Sequence, residues 1–203
     1  MSPTALGAAL VAAGFLSGSI PFGLLLARAF LGVDVRTVGS GNIGATNVAR
    51  AGGRTMGVVV LVLDVAKAIA PMLVARALLA GTPHAQAWVA AAGTAAFLGH
   101  VFTPWLGFHG GKGVACGLGV FLVLSPWAAL AGLAGFAVLY GVTRMSSLGS
   151  LGGTAACVVA TFVAYGPSSA VPWLGVAIGA VIFARHRENI RRLLRGEERT
   201  MKV

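Results

Sequence analysis

The sequence predicts an all-α, polytopic membrane protein of seven transmembrane helices, the fourth short, with the N-terminus outside and the C-terminus in the cytoplasm. Three observations carry that prediction. Of the 203 residues, 57% are hydrophobic and 10% charged, against roughly 25% charged in soluble domains. Mean hydropathy is +0.88, and the 30 glycines suit a bilayer, where small residues let helix backbones approach closely. Apolar runs of about 20 residues, the length needed to cross about 30 Å of hydrocarbon, recur along the chain. Residues 1–203 read as a single membrane domain.

The first run, Thr4 to Phe30, has no basic segment ahead of it and is too long for a signal-peptide core, so it reads as a retained span. Within it, SGSIPFG (17–23) combines Pro21 with glycines that permit a kink and close packing. The next runs are Met56 to Ala80, Gln86 to Leu106, the short Val114 to Leu124, Pro126 to Val142, Leu148 to Tyr165 and Ala170 to Ala184.

Basic residues mark cytoplasmic connections, and here they sort by connection. Arg36, Arg50 and Arg54 lie between Gly32 and Thr55, Lys112 in the next charged connection and Arg144 in the one after. Arg185, Arg187, Arg191, Arg192, Arg195, Arg199 and Lys202 fill the tail. The intervening connections, 81–85, 125–126 and 166–169, have none. Fusing Val114 to Val142 into one span would put Arg144 and the tail on opposite faces, so the alternation requires seven crossings. The net charge of +10 is therefore spread over membrane connections, unlike the basic face or arm of a nucleic-acid binder. Arg28 and Arg76 sit near helix ends and can snorkel. Lys67 lies inside the second span with Asp64 one turn away, which suits an internal ion pair or a substrate contact. Cys116 and Cys157 lie in apolar stretches and read as small core side chains.

Polar residues without a solubilising role collect in the charged connections. GSGNIGATNVAR (39–50) contains G-x-G-x-x-G and is followed by Asp64, yet no buried strand precedes it, so the dinucleotide fingerprint lacks its context. Its flexible backbone, the hydroxyls of Ser40 and Thr46, the amides of Asn42 and Asn47 and the cation of Arg50 suit an oxyanion or phosphate; a glycine-rich turn between helices is the plainer alternative. HGGKG (109–113) lacks the spacing of an NTPase loop. With Gly110, Gly111 and Gly113 freeing the backbone, Lys112 adding charge and a helix starting just after, it can still bind phosphate; the alternative is that Lys112 only anchors the cytoplasmic side.

RHRENIRR (185–192), if helical, places Arg185, Asn189 and Arg192 on one face with His186 adjoining. Glu188 reads as a structural partner of the arginines, whereas Arg195, Arg199 and Lys202 suit anionic lipid. RMSSLGS (144–150) reads as a loop that brings Ser146 and Ser147 to the same side of the membrane.

Taken together, SGSIPFG, VGSGNIGATN followed by Arg50, LDVAKA, GHVFTPWLGFHGGKGVA and RHRENIRRL resemble the bacterial acyl-phosphate:glycerol-3-phosphate acyltransferase family, in order and over nearly the whole chain. The resemblance implies a multi-pass enzyme of the bacterial inner (plasma) membrane with its active site at the cytoplasmic face. It would transfer a fatty acyl group from acyl phosphate to the 1-hydroxyl of glycerol 3-phosphate, giving lysophosphatidic acid and phosphate in phospholipid synthesis. The implied catalytic residues are Ser40, Arg50, Lys112, His186 and Asn189. Asn42, Thr46, Asn47, Gly110, Gly111, Gly113 and Ser147 would bind substrate or phosphate, with Glu188 structural. No metal or cofactor is implied. The implied partners are the two substrates and membrane lipid, without nucleic acid or an obligatory protein partner. LDVAKA has Ala68 where relatives often carry glycine.

Rival classes fit less well. A transporter would place its site near the midplane, often with internal repeats, whereas here the polar residues crowd the charged connections and no repeat is visible. No His is followed five residues later by Asp, so the H-x-x-x-x-D motif of acyl-CoA-dependent transferases is missing. A lipid-binding scaffold would need no dense loop of Ser, Asn and Arg.

Overall fold

The computed structural model describes residues 1–201; Lys202, counted above in the basic tail, lies outside the described residues. The described secondary structure is helical throughout. Five helical stretches are long and apolar enough to cross a membrane: Pro3–Leu31, Ala45–Leu78, Ala85–Leu106, Pro126–Thr143 and Ser146–Tyr165. Two shorter apolar helices, Val114–Leu124 and Ala170–Arg185, fall where the fourth and seventh spans are expected. The chain divides into two compact units, Met1–Val123 and Leu124–Val203.

In the first unit, α1 (Pro3–Ser19) is capped by the Ser2 hydroxyl, which accepts from Ala5 N at 3.2 Å. Pro3 occupies the first turn, where its missing N–H costs nothing. The kink expected at Pro21 is a full break, after which α2 (Phe22–Leu31) begins. Backbone carbonyls freed inside a membrane must find partners, and these do. Lys67 Nζ donates to Ile20 O at 2.7 Å, and Thr103 Oγ1 donates to Ser19 O at 2.7 Å. α1 packs against α4 (Ala85–Val101), and glycines set the spacing. A Cβ added at Gly18 would run into the Ala96 carbonyl, and one at Gly99 into that of Phe15.

Between α2 and α3 (Ala45–Leu78) lies the first polar connection. It is shorter than expected, because α3 starts at Ala45 and passes through a kink at Gly52 and Gly53. Residues 45–55, read as part of that connection, are thus helical apart from the kink, where Gly53 supplies the positive φ of +83°. Leu24, Ala27, Val35, Ile43, Val48 and Val60 form a buried cluster that fastens this connection to α2 and α3. On α3, Val58, Val59, Leu61 and Val62 remain exposed, the apolar exterior that lipid would cover. α5 (Val114–Leu124) follows the second polar connection.

In the second unit, α6 (Pro126–Thr143) packs on α7 (Ser146–Tyr165), and α7 on α8 (Ala170–Arg185). The short polar α9 (Arg187–Leu194) follows. Two expectations change here. Ser146 and Ser147 occupy the first turn of α7 and not a loop. RHRENIRR is not one helix, because the chain bends at His186 (φ −98°, ψ 8°), leaving Arg185 on α8 and Asn189 with Arg192 on α9.

Candidate active site

The first polar connection is held by Asn47, from the first turn of α3. Its Oδ1 accepts from Ser40 N at 2.9 Å, and its Nδ2 donates to Val35 O and Val38 O, each at 2.9 Å. With only 2% of the residue exposed, both amide ends serve the loop, so Asn47 shapes the segment. Asn42 Oδ1 accepts from Gly44 N at 2.9 Å and closes a tight turn just before the helix. Gly39 and Gly41, just ahead of this turn, take positive φ. These bonds leave the Ser40 side chain on the exposed rim and Thr46 in the first turn of α3. Arg50 is half-buried further along α3, and its Cδ lies 3.7 Å from where a Gly39 Cβ would stand. Ahead of the loop, hydrogen bonds from Arg36 and then Arg28 hold the Asp34 carboxyl well below the usual carboxylate range. Arg28 is thus paired with Asp34 at 2.7 Å.

The second polar connection corrects one detail of the expected phosphate loop. The amides of Gly110 and Gly111, expected to turn toward a ligand, donate to Val101 O and His100 O at 3.0 Å each. These glycines let the chain lie directly on the end of α4: a Cβ at Gly110 would strike the His100 carbonyl, and one at Gly111 the His100 ring. Gly113, at φ +89°, abuts Phe97. The chain is thereby set to enter α5 at Val114, one residue after Gly113, with Lys112 half-buried beside the helix start. First-turn amides of a helix have no partner within it and carry its positive end.

Beneath this loop lies a buried charged group. Lys67 Nζ is 2.8 Å from Asp64 Oδ1, and His100 Nδ1 is 3.6 Å from the same oxygen. Cys116 Sγ donates to Asp64 O at 3.1 Å. The ion pair anticipated for Asp64 and Lys67 is therefore present, joined by His100, whose ring backs Gly111. Burial is tolerable for such a pair because each charge has close polar partners.

In the second unit, His186 is buried at the α8–α9 bend, and its Nδ1 lies 2.8 Å from Ile182 O. A carbonyl only accepts, so Nδ1 carries the proton and Nε2 is the basic nitrogen of the neutral ring. Asn189 and Ser147 are brought together through a residue that sequence reasoning passed over. Glu198 Oε1 accepts from Asn189 Nδ2 at 2.7 Å and Ser147 Oγ at 2.9 Å, while Oε2 accepts from Arg192 Nε at 2.8 Å. Burial opposes its charge, but the bonds from Asn189, Arg192 and Ser147 prevail and hold the carboxyl below its ordinary value. Glu188 pairs with the arginines as expected, with Arg191 at 3.0 Å and Arg187 at 3.6 Å, on the exposed side of α9. The available signal was scarcity: with five acidic residues among fifteen basic ones, each carboxylate marks a place where charge is organised.

Helices without strands among the described residues, apolar exteriors and polar residues gathered at helix ends define a multi-span integral membrane protein. Residues 8–196 match the family model described as glycerol-3-phosphate acyltransferase. The chain belongs to this family. A glycerol-3-phosphate acyltransferase of Anaeromyxobacter sp. (strain K) is 69% identical over 199 residues, covering 98% of this chain and 99% of the relative. The crystal structure of PlsY (YgiH), an integral membrane glycerol 3-phosphate acyltransferase, in its glycerol 3-phosphate form is 41% identical with a TM-score of 0.87, covering 97% of this chain and 96% of that one. Its lysophosphatidic acid form is 40% identical, with a TM-score of 0.85 and coverage of 97% and 95%.

Proposed function

We propose that this chain transfers a fatty acyl group from acyl phosphate to the 1-hydroxyl of glycerol 3-phosphate, releasing lysophosphatidic acid and inorganic phosphate in bacterial phospholipid synthesis. The observation that carries this reading is likeness along nearly the whole chain to glycerol-3-phosphate acyltransferases, including PlsY in its glycerol 3-phosphate form. Seven crossings, an outer N-terminus and a cytoplasmic C-terminus, with the reaction at the cytoplasmic face of the inner membrane, agree with the alternation of basic connections.

Acyl phosphate is a mixed anhydride with a good leaving group. The hydroxyl oxygen bonds to the acyl carbon, the bond from that carbon to the phosphate oxygen breaks, and phosphate departs with the electron pair. The protein's task is then to position the reactants and stabilise developing negative charge, without a covalent intermediate.

Lys112 and the start of α5 take one phosphate, and Arg50 takes phosphate or oxyanion charge. Ser40 and Asn42, with Thr46 in the first turn of α3, contact substrate from the first polar connection. Asn47, Gly110, Gly111 and Gly113 shape the two loops, a role supported by their internal hydrogen bonds and tight approaches. Ser147 and Asn189 hold glycerol 3-phosphate. His186 either accepts the hydroxyl proton at Nε2, a role the bond that occupies Nδ1 supports, or orients the hydroxyl while a substrate phosphate takes the proton. No cofactor enters this scheme.

The test supplies purified protein with glycerol 3-phosphate and either acyl phosphate or acyl-CoA, and follows both lipid product and phosphate. Turnover with acyl phosphate alone is expected; turnover with acyl-CoA alone would reverse the donor assignment.

A further inference from the structure

Glu198 lies beyond α9, in a tail whose basic residues suit lipid headgroups, yet its side chain is only 3% exposed. A carboxylate removed from water must be compensated. Here three donors converge on it: Ser147 from the first turn of α7, and Asn189 and Arg192, three residues apart on α9. The tail also returns to the chain ahead of α7, where Met201 N donates to Arg144 O at 2.9 Å.

The chemistry of those bonds has a direction. A serine hydroxyl has one proton, and once Ser147 gives it to Glu198, Oγ can only accept. The Asn189 amide is oriented as well, because the Nδ2 side faces the carboxylate and Oδ1 faces the other way. An oxygen that can only accept repels phosphate oxygens and suits the hydroxyl groups of a polyol. We propose that Glu198 is a positioning residue that orients Ser147 and Asn189 toward the hydroxyl end of glycerol 3-phosphate and away from its phosphate. This rests on the reading above, in which Ser147 and Asn189 hold that substrate.

The two alternatives give opposite signs. If Ser147 and Asn189 met the phosphate, removing the nearby negative charge would tighten binding of the anion. If they meet the hydroxyl end, the same change weakens it. Glutamine must set its Nε2 donor against Arg192 Nε or, flipped, against the Ser147 and Asn189 donors, and the side chain no longer holds the pair in place. The experiment uses the full-length protein in phospholipid vesicles and compares wild type, Glu198→Gln, Ser147→Ala and the double variant, with acyl phosphate as donor.

Glu198→Gln is expected to raise KM for glycerol 3-phosphate about tenfold while KM for acyl phosphate stays unchanged. The double variant should be no worse than the more impaired single one, because both changes remove the same contact. A KM for glycerol 3-phosphate that is unchanged or lowered overturns the proposal. So do additive losses, or a rise in both KM values together with a lowered unfolding temperature. Glu198→Asp, which keeps the charge but not the reach, is read by the same criteria should the glutamine variant fail to accumulate. A wild-type protein inert toward glycerol 3-phosphate, or a kinetically silent Ser147→Ala, overturns the underlying reading and this proposal with it. A silent Glu198→Gln beside an impaired Ser147→Ala overturns this proposal alone.

Discussion

Lys112 leaves the backbone two residues before α5 begins, so its ammonium adds a full charge to the partial charge of the helix start. Lys112→Ala is expected to lower kcat/KM at least tenfold, about 1.4 kcal/mol of transition-state stabilisation; unchanged kinetics in a folded variant would remove the phosphate assignment. Glu198 gives a second outcome at this scale, in stability. Its carboxyl is held below the ordinary value of 4.5, so between the folded and ordinary values the unfolded chain binds more protons. The stabilisation is therefore complete above the ordinary value and is lost as pH falls through the folded one. Thermal unfolding of wild type and Glu198→Gln should differ at neutral pH and converge as the solution is acidified through the carboxylate range.

At the scale of helices, two kinds of contact hold the first unit. One is close approach: Gly18 faces the Ala96 carbonyl with no room for a side chain. Gly18→Val should force α1 off α4 and cost about 1–3 kcal/mol or more, read as a lower unfolding temperature in detergent. The other is the buried charge that joins α3, the α1–α2 break and α4. Lys67 is bonded to Asp64 and to the Ile20 carbonyl at once. Lys67→Met leaves the Asp64 carboxylate buried without its cation and should destabilise by about 3–5 kcal/mol. Asp64→Asn combined with Lys67→Met should recover much of that loss, and a double variant as unstable as the sum of the singles would contradict this coupling.

For the whole chain, the proposed arrangement of crossings rests on where basic residues are placed. Single cysteines at Thr55 and Arg199 are expected to react with a membrane-impermeant thiol reagent only after the inner membrane is opened, whereas those at Pro83 and Ser168 should react in cells with only the outer barrier permeabilised. Labelling of Arg199→Cys from outside would invert the C-terminal orientation and remove the cytoplasmic assignment of the tail.

Composition and hydropathy located each apolar helix, because burying a helix in lipid requires a continuous apolar run whatever its neighbours are. Motif spacing likewise brought out both polar connections and the His186–Asn189 segment, since loops rich in glycine, hydroxyl and amide groups stand out against an apolar chain. Tertiary contacts decided the rest. That Asn47 faces inward and that the Gly110 and Gly111 amides bond to α4 depend on how each connection folds back on its neighbouring helix, and that His100 joins Asp64 and Lys67 depends on partners distant in sequence. Glu198 makes the point most sharply: beside Glu197 in a basic tail it has no local distinction, while 51 residues separate it from Ser147. A carboxylate acquires such a role only when folding removes it from water and surrounds it with donors, and no local pattern of residues encodes that enclosure.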